Sequence, residues 1–281
     1  MSENVIEEIK KKLREIELKE DVTILMAVES GSRAWGFPSA DSDYDVRFIY
    51  KKNDVSEYLR LEGNKDVIEW ELNDVYDING WDVDKALKLL HDSNPTVFEW
   101  LNSPIVYKHT PFIEDIRKVL RNQFQTIKGC HHYLSMAKKN YNEHLLKDEV
   151  IYKKYFYVLR PLLAVEYILD YQTYPPMSFK DLTALEADDD IKPVILKLLQ
   201  VKANISEKDR GEKIIRLNEY IEKKLKELEE RVASLKKERT EWEELDDLFL
   251  KVLNTEYDSV PSDELVDIEG DDEQFSNNDY Y

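Results

Sequence analysis

Two carboxylates, Asp43 and Asp45, stand one residue apart in the run Asp43-Tyr44-Asp45-Val46-Arg47-Phe48. If that run is a strand, alternate side chains share a face, so Asp43, Asp45 and Arg47 project one way and Tyr44, Val46 and Phe48 the other. Two carboxylates on one face repel unless a cation lies between them. Magnesium, a hard ion that takes oxygen ligands and keeps company with phosphates, is the natural guest. Ten residues separate Asp43 from an upstream Ser30-Gly31-Ser32. Glycine there lets the backbone approach a ligand closely, and the neighbouring serine hydroxyl and backbone N–H groups can grip a phosphate. The chemistry these residue types suit is metal-assisted work on a phosphorylated substrate.

The elements that must position them can be read around them. Residues 22–28 form a continuous apolar, β-branched run that suits a buried strand aimed at the Ser30 turn. Residues 3–19 fit a helix with Val5, Ile6, Ile9, Leu13 and Ile16 on one side. The turn over 30–42 contains Gly31, Gly36 and Pro38, with Arg33 and Trp35 inserted. Arg33 is either a phosphate contact or a surface turn residue, and the Gly-Ser before it favours the first. A second strand follows over 44–50. Residues 67–72 and 75–78 alternate as further strands, the latter ending at Asn79-Gly80.

Gly-Ser, a spacer of this length and Asp-x-Asp on a strand together resemble the signature of the DNA polymerase beta nucleotidyltransferase superfamily. The surrounding words ESGSRAWGFPSADSDYDVRFIY, DINGWD, NPTVFEWLNSPIVY and KKYFYVLRPLLA are similar, more narrowly, to the RNA-repair-associated polymerase-beta-like family, over roughly residues 5–185. The resemblance implies a third carboxylate from a neighbouring strand. Asp77, in Val-Tyr-Asp-Ile, is the choice, with Asp74 and Asp82 as competitors. Asp82 precedes Val83-Asp84-Lys85-Ala86-Leu87 and also suits a helix N-cap. By the same resemblance, Asp43 and Asp45 would hold one magnesium ion on a triphosphate. Asp45 and Asp77 would hold a second that activates the attacking hydroxyl, and manganese is an alternative to either ion. Gly31 and Ser32 would anchor the outer phosphates, with Arg33 or Arg47 adding charge; Arg47 has an ion-pair role within the sheet as its alternative. Lys154 and Arg160, on the cationic edge of an apolar helix, would contact substrate, against the reading that they snorkel around a packed helix.

The implied activity is transfer of NMP from an NTP to a hydroxyl acceptor with release of pyrophosphate. The resemblance points to an RNA end as acceptor, although a protein hydroxyl or a small molecule such as an aminoglycoside needs the same catalytic face. An alternative of another class is a non-catalytic, antitoxin-like module of the same fold acting through a protein partner.

Composition frames these readings. The chain has 281 residues, 35% of them charged, with nine Pro and seven Gly, which points to a helix-rich protein. No apolar run reaches the ~18 residues a membrane span needs. The charged, amphipathic N-terminus lacks the apolar core of a secretory signal, so the cytosol is the expected compartment. The single cysteine, Cys130, excludes an intramolecular disulfide and a cysteine-built zinc site. The formal net charge is −19, but residues 255–281 hold ten acidic and no basic side chains, whereas residues 117–160 hold ten basic against three acidic. That basic stretch is either a phosphate-facing surface or a solvated helix face.

Helices are expected over 83–91, from Asn94-Pro95 through 101, and over 112–127, 130–146 and 150–169, with Trp81, Phe98 and Trp100 as core residues. A long helix over 208–249 carries Ile214, Leu217, Ile221, Leu225, Leu228, Val232, Leu235 and Trp242 at heptad-like spacing. It would either pair with a second copy through residues 206–250 or fold back on its own chain. The expected fold is α+β: a small mixed-sheet nucleotidyltransferase core with flanking helices over 1–108, a helical substrate-binding region over 109–205, a long C-terminal helix over 206–253, and an acidic disordered tail over 254–281.

Overall fold

The apolar run after residue 21 becomes an interior strand of a sheet because it is covered on both faces. The computed structural model describes residues 3–39, 41–63, 65–203, 209–236 and 239–257; all of the acidic tail beyond residue 257 lies outside them. Helix α1 (Glu3–Glu20) leads into β1 (Val22–Glu29), a four-residue helix α2 (Gly31–Ala34) and β2 (Tyr44–Lys52). After a 3-10 turn (Val55–Leu59), β3 (Val67–Leu72), β4 (Tyr76–Asp82), α3 (Val83–His91), α4 (Pro95–Leu101), β5 (Val106–Lys108) and α5 (Phe112–Gln123) follow. A helical region then contains α6 (Thr126–His144), β6 (Glu149–Ile151), α7 (Lys153–Tyr171), α8 (Phe179–Glu186), α9 (Lys192–Ala203), β7 (Arg210–Glu212) and α10 (Ile215–Ala233), and α11 (Glu243–Asn254) comes last.

The five-stranded sheet has the order β3-β4-β2-β1-β5. Strands β2 and β4 run parallel and the other pairs antiparallel. The fold is α+β with a mixed sheet and flanking helices, as the sequence predicts. Helix α1 buries Ile9, Leu13 and Ile16 against Ile24, Val46, Phe48 and Ile78 on one face. Leu25, Met26, Val28 and Ile49 on the other face pack under α3, α4, α5 and α11. Helices α6 to α10 form a third core. Phe37, from the turn after α2, inserts into that core with its ring 5.0 Å from Phe156 and 5.4 Å from Phe179.

The structure redraws several expected boundaries. Strand β4 does not end at Asn79-Gly80 but continues to Asp82. A Cβ on Gly80 would lie 2.2 Å from the Phe48 ring, so this glycine marks a close approach within a strand rather than a turn. The helix expected from residue 150 starts at Lys153, because residues 149–151 pair with 210–212 as a two-stranded ribbon. The single helix over 208–249 is instead β7, α10 and α11. Ser234 caps α10, with its Oγ donating to the Arg231 carbonyl at 2.6 Å. Beyond it Trp242 stacks on His91, ring centroids 3.7 Å apart, and α11 turns Leu245, Leu248 and Val252 onto the sheet layer. The buried stripe of α10, with Leu217, Ile221, Leu228 and Val232, belongs to the helical core of the same chain. Helix α5 also packs on the sheet layer through Phe112, Ile113, Ile116 and Leu120, which carries that layer past residue 108. Among the described residues no helix is long and apolar enough to cross a membrane.

Candidate active site

The C-terminal end of β1 meets the N-terminal ends of β2 and β4 at one edge of the sheet. Parallel pairing sets Asp45 opposite Asp77, so carboxylates 32 positions apart in sequence become cross-strand neighbours. Arg47, two residues along β2, lies on the same face. Its Nη2 donates to Asp45 Oδ1 at 3.1 Å and to Asp77 Oδ2 at 2.6 Å, while its Nη1 donates to the Asp77 carbonyl at 2.7 Å. Arg47 therefore has the sheet ion-pair role that was its alternative reading. Asp43 immediately precedes β2, near enough that its charge acts on Asp45.

Of the three candidates for a third carboxylate, Asp77 is the one brought to Asp45. Asp74 is exposed in the turn before β4. Asp82 pairs with Tyr50 at the opposite end of the parallel ladder, where its Oδ1 accepts from the Asp84 N–H at 2.9 Å and caps α3.

The turn carrying the glycine closes over these carboxylates. Gly31 has a φ of +60°, and a Cβ there would lie 1.9 Å from Asp45 Oδ2. The position needs glycine both for its left-handed backbone and for the space the carboxylate occupies. Ser32 is buried, and its Oγ donates to Ser42 Oγ at 3.1 Å. Its hydroxyl thus braces the turn, leaving backbone as what Gly31 and Ser32 offer a phosphate. Arg33 does likewise: Nε donates to the Asp43 carbonyl at 2.9 Å and Nη2 to the Ser42 carbonyl at 2.6 Å. Its guanidinium carbon stands 4.0 Å from the centroid of the Tyr44 ring.

A buried glutamate beneath this surface was not singled out from the sequence. Glu29, 0% exposed, accepts from the Asp45 N–H at Oε1, 3.1 Å away, and from the Tyr107 hydroxyl at Oε2. Burial pushes its carboxyl up to about 7, against the lowering effect of those two hydrogen bonds. Asp45 is also raised, to about 6: burial is the main cause, Arg47 offsets part of it, and Asp43 and Asp77 add repulsion. The only hint of Glu29 in the sequence is a charged residue closing an apolar strand.

Helix α7 approaches from the helical region. Lys153, in its first turn, exerts a positive charge on Asp45 and lies 5.5 Å from the centroid of the Tyr157 ring. Its neighbour Lys154, the residue the sequence points to, stands 5.0 Å from the same ring and lines a small cleft with His144, Lys147 and Arg210. The i, i+4 spacing of Lys153 and Tyr157 was the available signal. Arg160 is not on the helix rim. It is 2% exposed and bonded to Glu99, because a guanidinium in an apolar helix is stable when a carboxylate reaches it. Other cations of the basic stretch are also paired: Lys118 with Asp115, Lys128 with Asp92 and Lys138 with Glu229.

The donor set suits a hard divalent cation, since Asp43, Asp45 and Asp77 offer only oxygen. Among the described residues no group of three or more Asp, Glu, His or Cys side chains forms a ready metal cage. Arg47 Nη2 lies between the carboxylates of Asp45 and Asp77.

Comparison with known proteins finds a matching family model and a curated relative. The sequence model of the RNA repair pathway DNA polymerase beta family matches residues 5–251. YcgL of Bacillus subtilis (strain 168), described as an uncharacterized protein, is 41% identical over 256 residues, covering 90% of this chain and 96% of that protein.

Proposed function

This chain belongs to the RNA repair pathway DNA polymerase beta family, and on that basis we propose that it is a metal-dependent nucleotidyltransferase that moves NMP from an NTP to a hydroxyl, with an RNA end as acceptor. The observation that carries the reading is the pairing of Asp45 with Asp77 across β2 and β4, with Gly31 turned onto Asp45.

Asp43 and Asp45 would hold one magnesium ion and Asp45 and Asp77 a second; manganese suits the same oxygen donors. When bound, such ions neutralise the entering and leaving oxygens of an in-line displacement. The chain's own residues orient the reactants. Backbone at Gly31 and Ser32 cradles the outer phosphates, and Lys153 adds positive charge from α7. The acceptor oxygen forms a bond to the α-phosphorus as the bond to pyrophosphate breaks, and the acceptor's proton passes to solvent. Glu29 holds the Asp45 backbone in place without meeting substrate.

A second reading draws on Arg47. Its shared nitrogen already fills the space a cation would take, which favours a non-catalytic module of this fold acting through a protein partner. One experiment separates the two readings. The protein is incubated with each radiolabelled NTP, magnesium or manganese, and a panel of RNA ends and total cell protein, with Asp45→Asn in parallel. Label on RNA with the wild type alone supports the proposal, and label on protein moves the acceptor class. No label, together with no metal-dependent NTP binding by calorimetry, overturns it in favour of the module.

A further inference from the structure

The turn that carries Gly31 and Ser32 is gripped from behind by a buried polar cluster that joins two of the cores. Arg160 of α7 donates from Nη1 to Glu99 Oε1 at 2.6 Å and from Nη2 to the Met177 carbonyl at 3.3 Å. Its guanidinium carbon lies 4.7 Å from the centroid of the Trp35 ring. Glu99 sits on α4, in the sheet layer, and accepts from Trp35 Nε1 at 3.3 Å and from the Tyr133 hydroxyl of α6 at 3.1 Å. Trp35 is therefore stacked by the guanidinium and hydrogen-bonded by the carboxylate of a single ion pair.

From Trp35 the path to the carboxylates is short. The Trp35 N–H donates to the Gly31 carbonyl at 3.0 Å, the Phe37 N–H to the Ser32 carbonyl at 3.0 Å, and the Phe179 N–H to the Trp35 carbonyl at 3.0 Å. Gly31 in turn lies against Asp45 Oδ2. The cluster is expensive for a purely structural joint. Arg160 Nε is buried without a hydrogen-bond partner, and a buried ion pair seldom stabilises more than well-packed apolar residues of the same volume. What a stacked guanidinium with fixed donor directions supplies is geometry, which a lysine at the same place does not reproduce.

We propose that Glu99 and Arg160 are positioning residues: by seating Trp35 they set the Gly31-Ser32 backbone against Asp45, so that the docking of the helical region on the sheet layer fixes the phosphate-binding turn. Its kinetic consequence rests on the nucleotidyl-transfer reading, whereas its conformational consequence does not.

The test uses the full chain as wild type, Arg160→Lys, Trp35→Phe and Lys224→Met. Lys224→Met breaks another buried pair, Lys224 with Glu166 at 2.8 Å, away from the turn, and controls for general loss of stability. Backbone hydrogen exchange over residues 31–37 should quicken roughly tenfold in the Arg160 and Trp35 variants and stay at the wild-type rate in the Lys224 variant. In the transfer assay kcat should fall roughly 10- to 100-fold, as for a small misplacement of reacting groups, with KM for the NTP within about twofold of wild type. Unchanged exchange over 31–37 in both turn variants, or an equal rise in the Lys224 variant, overturns the proposal. A raised KM at constant kcat also overturns it, by making Arg160 a substrate contact. If the wild type transfers no nucleotide, the transferase reading alone fails and the exchange measurements decide the positioning claim.

Discussion

Asp45 and Asp77 face each other across the parallel β2–β4 ladder and share one nitrogen, Nη2 of Arg47, at 3.1 and 2.6 Å. One guanidinium between two carboxylates, with Asp43 close by, leaves the edge of the sheet short of positive charge.

Magnesium should raise the melting temperature of the wild type and leave those of Asp45→Asn and Asp77→Asn unmoved, since each substitution removes charge from the donor set. Calorimetric scans with and without the ion test this independently of activity. Transfer should fall by at least about 100-fold in either variant, since metal stabilisation of a phosphoryl transition state contributes several kcal/mol and each decade of rate corresponds to about 1.4 kcal/mol. An equal thermal shift in Asp45→Asn would sink the metal assignment.

Gly31→Ala should damage both stability and activity. The new methyl would collide with Asp45 Oδ2 at 1.9 Å, and the left-handed backbone alone costs an L-residue about 1–2 kcal/mol. Denaturant midpoints and a crystal structure of the variant will show whether the turn has moved off the carboxylate. A variant of wild-type stability and rate would contradict this account of the turn.

Stability of the metal-free protein should fall as pH rises from 6 to 8. The Glu29 carboxyl is raised by burial from 4.5 to about 7 in the folded state. Its stabilising contribution is therefore complete below the unfolded value and lost as pH climbs through about 7. Asp45, raised to about 6, acts with the same sign in a lower window. Glu29→Gln keeps the shape and removes the titration, so its melting temperature should vary less across that range. A pH profile parallel to wild type would count against the buried-glutamate explanation.

Lys153 and Lys154 should separate despite being neighbours. Lys153→Met removes the charge that acts on Asp45 and should raise KM for the NTP, with the larger effect at low ionic strength. Lys154→Met, whose side chain lines the cleft with His144 and Arg210, should change KM for the NTP far less. Salt-dependent steady-state kinetics on the pair decides it, and equal effects would place both lysines at the nucleotide.

Local signals carried much of this structure in advance. The β3 range and the start and end of α3 coincide with the expected elements, because alternation and an Asp82 cap are written within a few residues. The Asp-x-Asp strand and the glycine turn before it were legible for the same reason. What could not be read depends on partners distant in sequence. Glu29 looks like the end of a strand until Tyr107, 78 residues on, reaches its carboxylate. Arg160 looks like a rim cation until Glu99, 61 residues earlier, takes its charge into the interior. The long heptad-like helix breaks because α11 finds a better apolar surface on α3 and α5 than a straight continuation of α10 would offer, and no local pattern records that competition.

The parallel ladder also divides the chain between Asp45 and Asp77 into tolerant and intolerant ground. The connection leaves β2 after Lys52, at the end remote from the carboxylates. There the Tyr58 hydroxyl ties the connection to the Lys52 N–H and to Asp82, and Leu59 and Leu61 stand out in solvent. Extra sequence spliced after Leu61 should leave the Asp45–Asp77 end of the ladder undisturbed, which makes that loop the natural place for an affinity handle or a fluorescent label. A single residue added within β4 before Asp77 would instead turn its carboxylate to the opposite face of the sheet. The reading frame of β4, rather than the distance along the chain, keeps the two aspartates together.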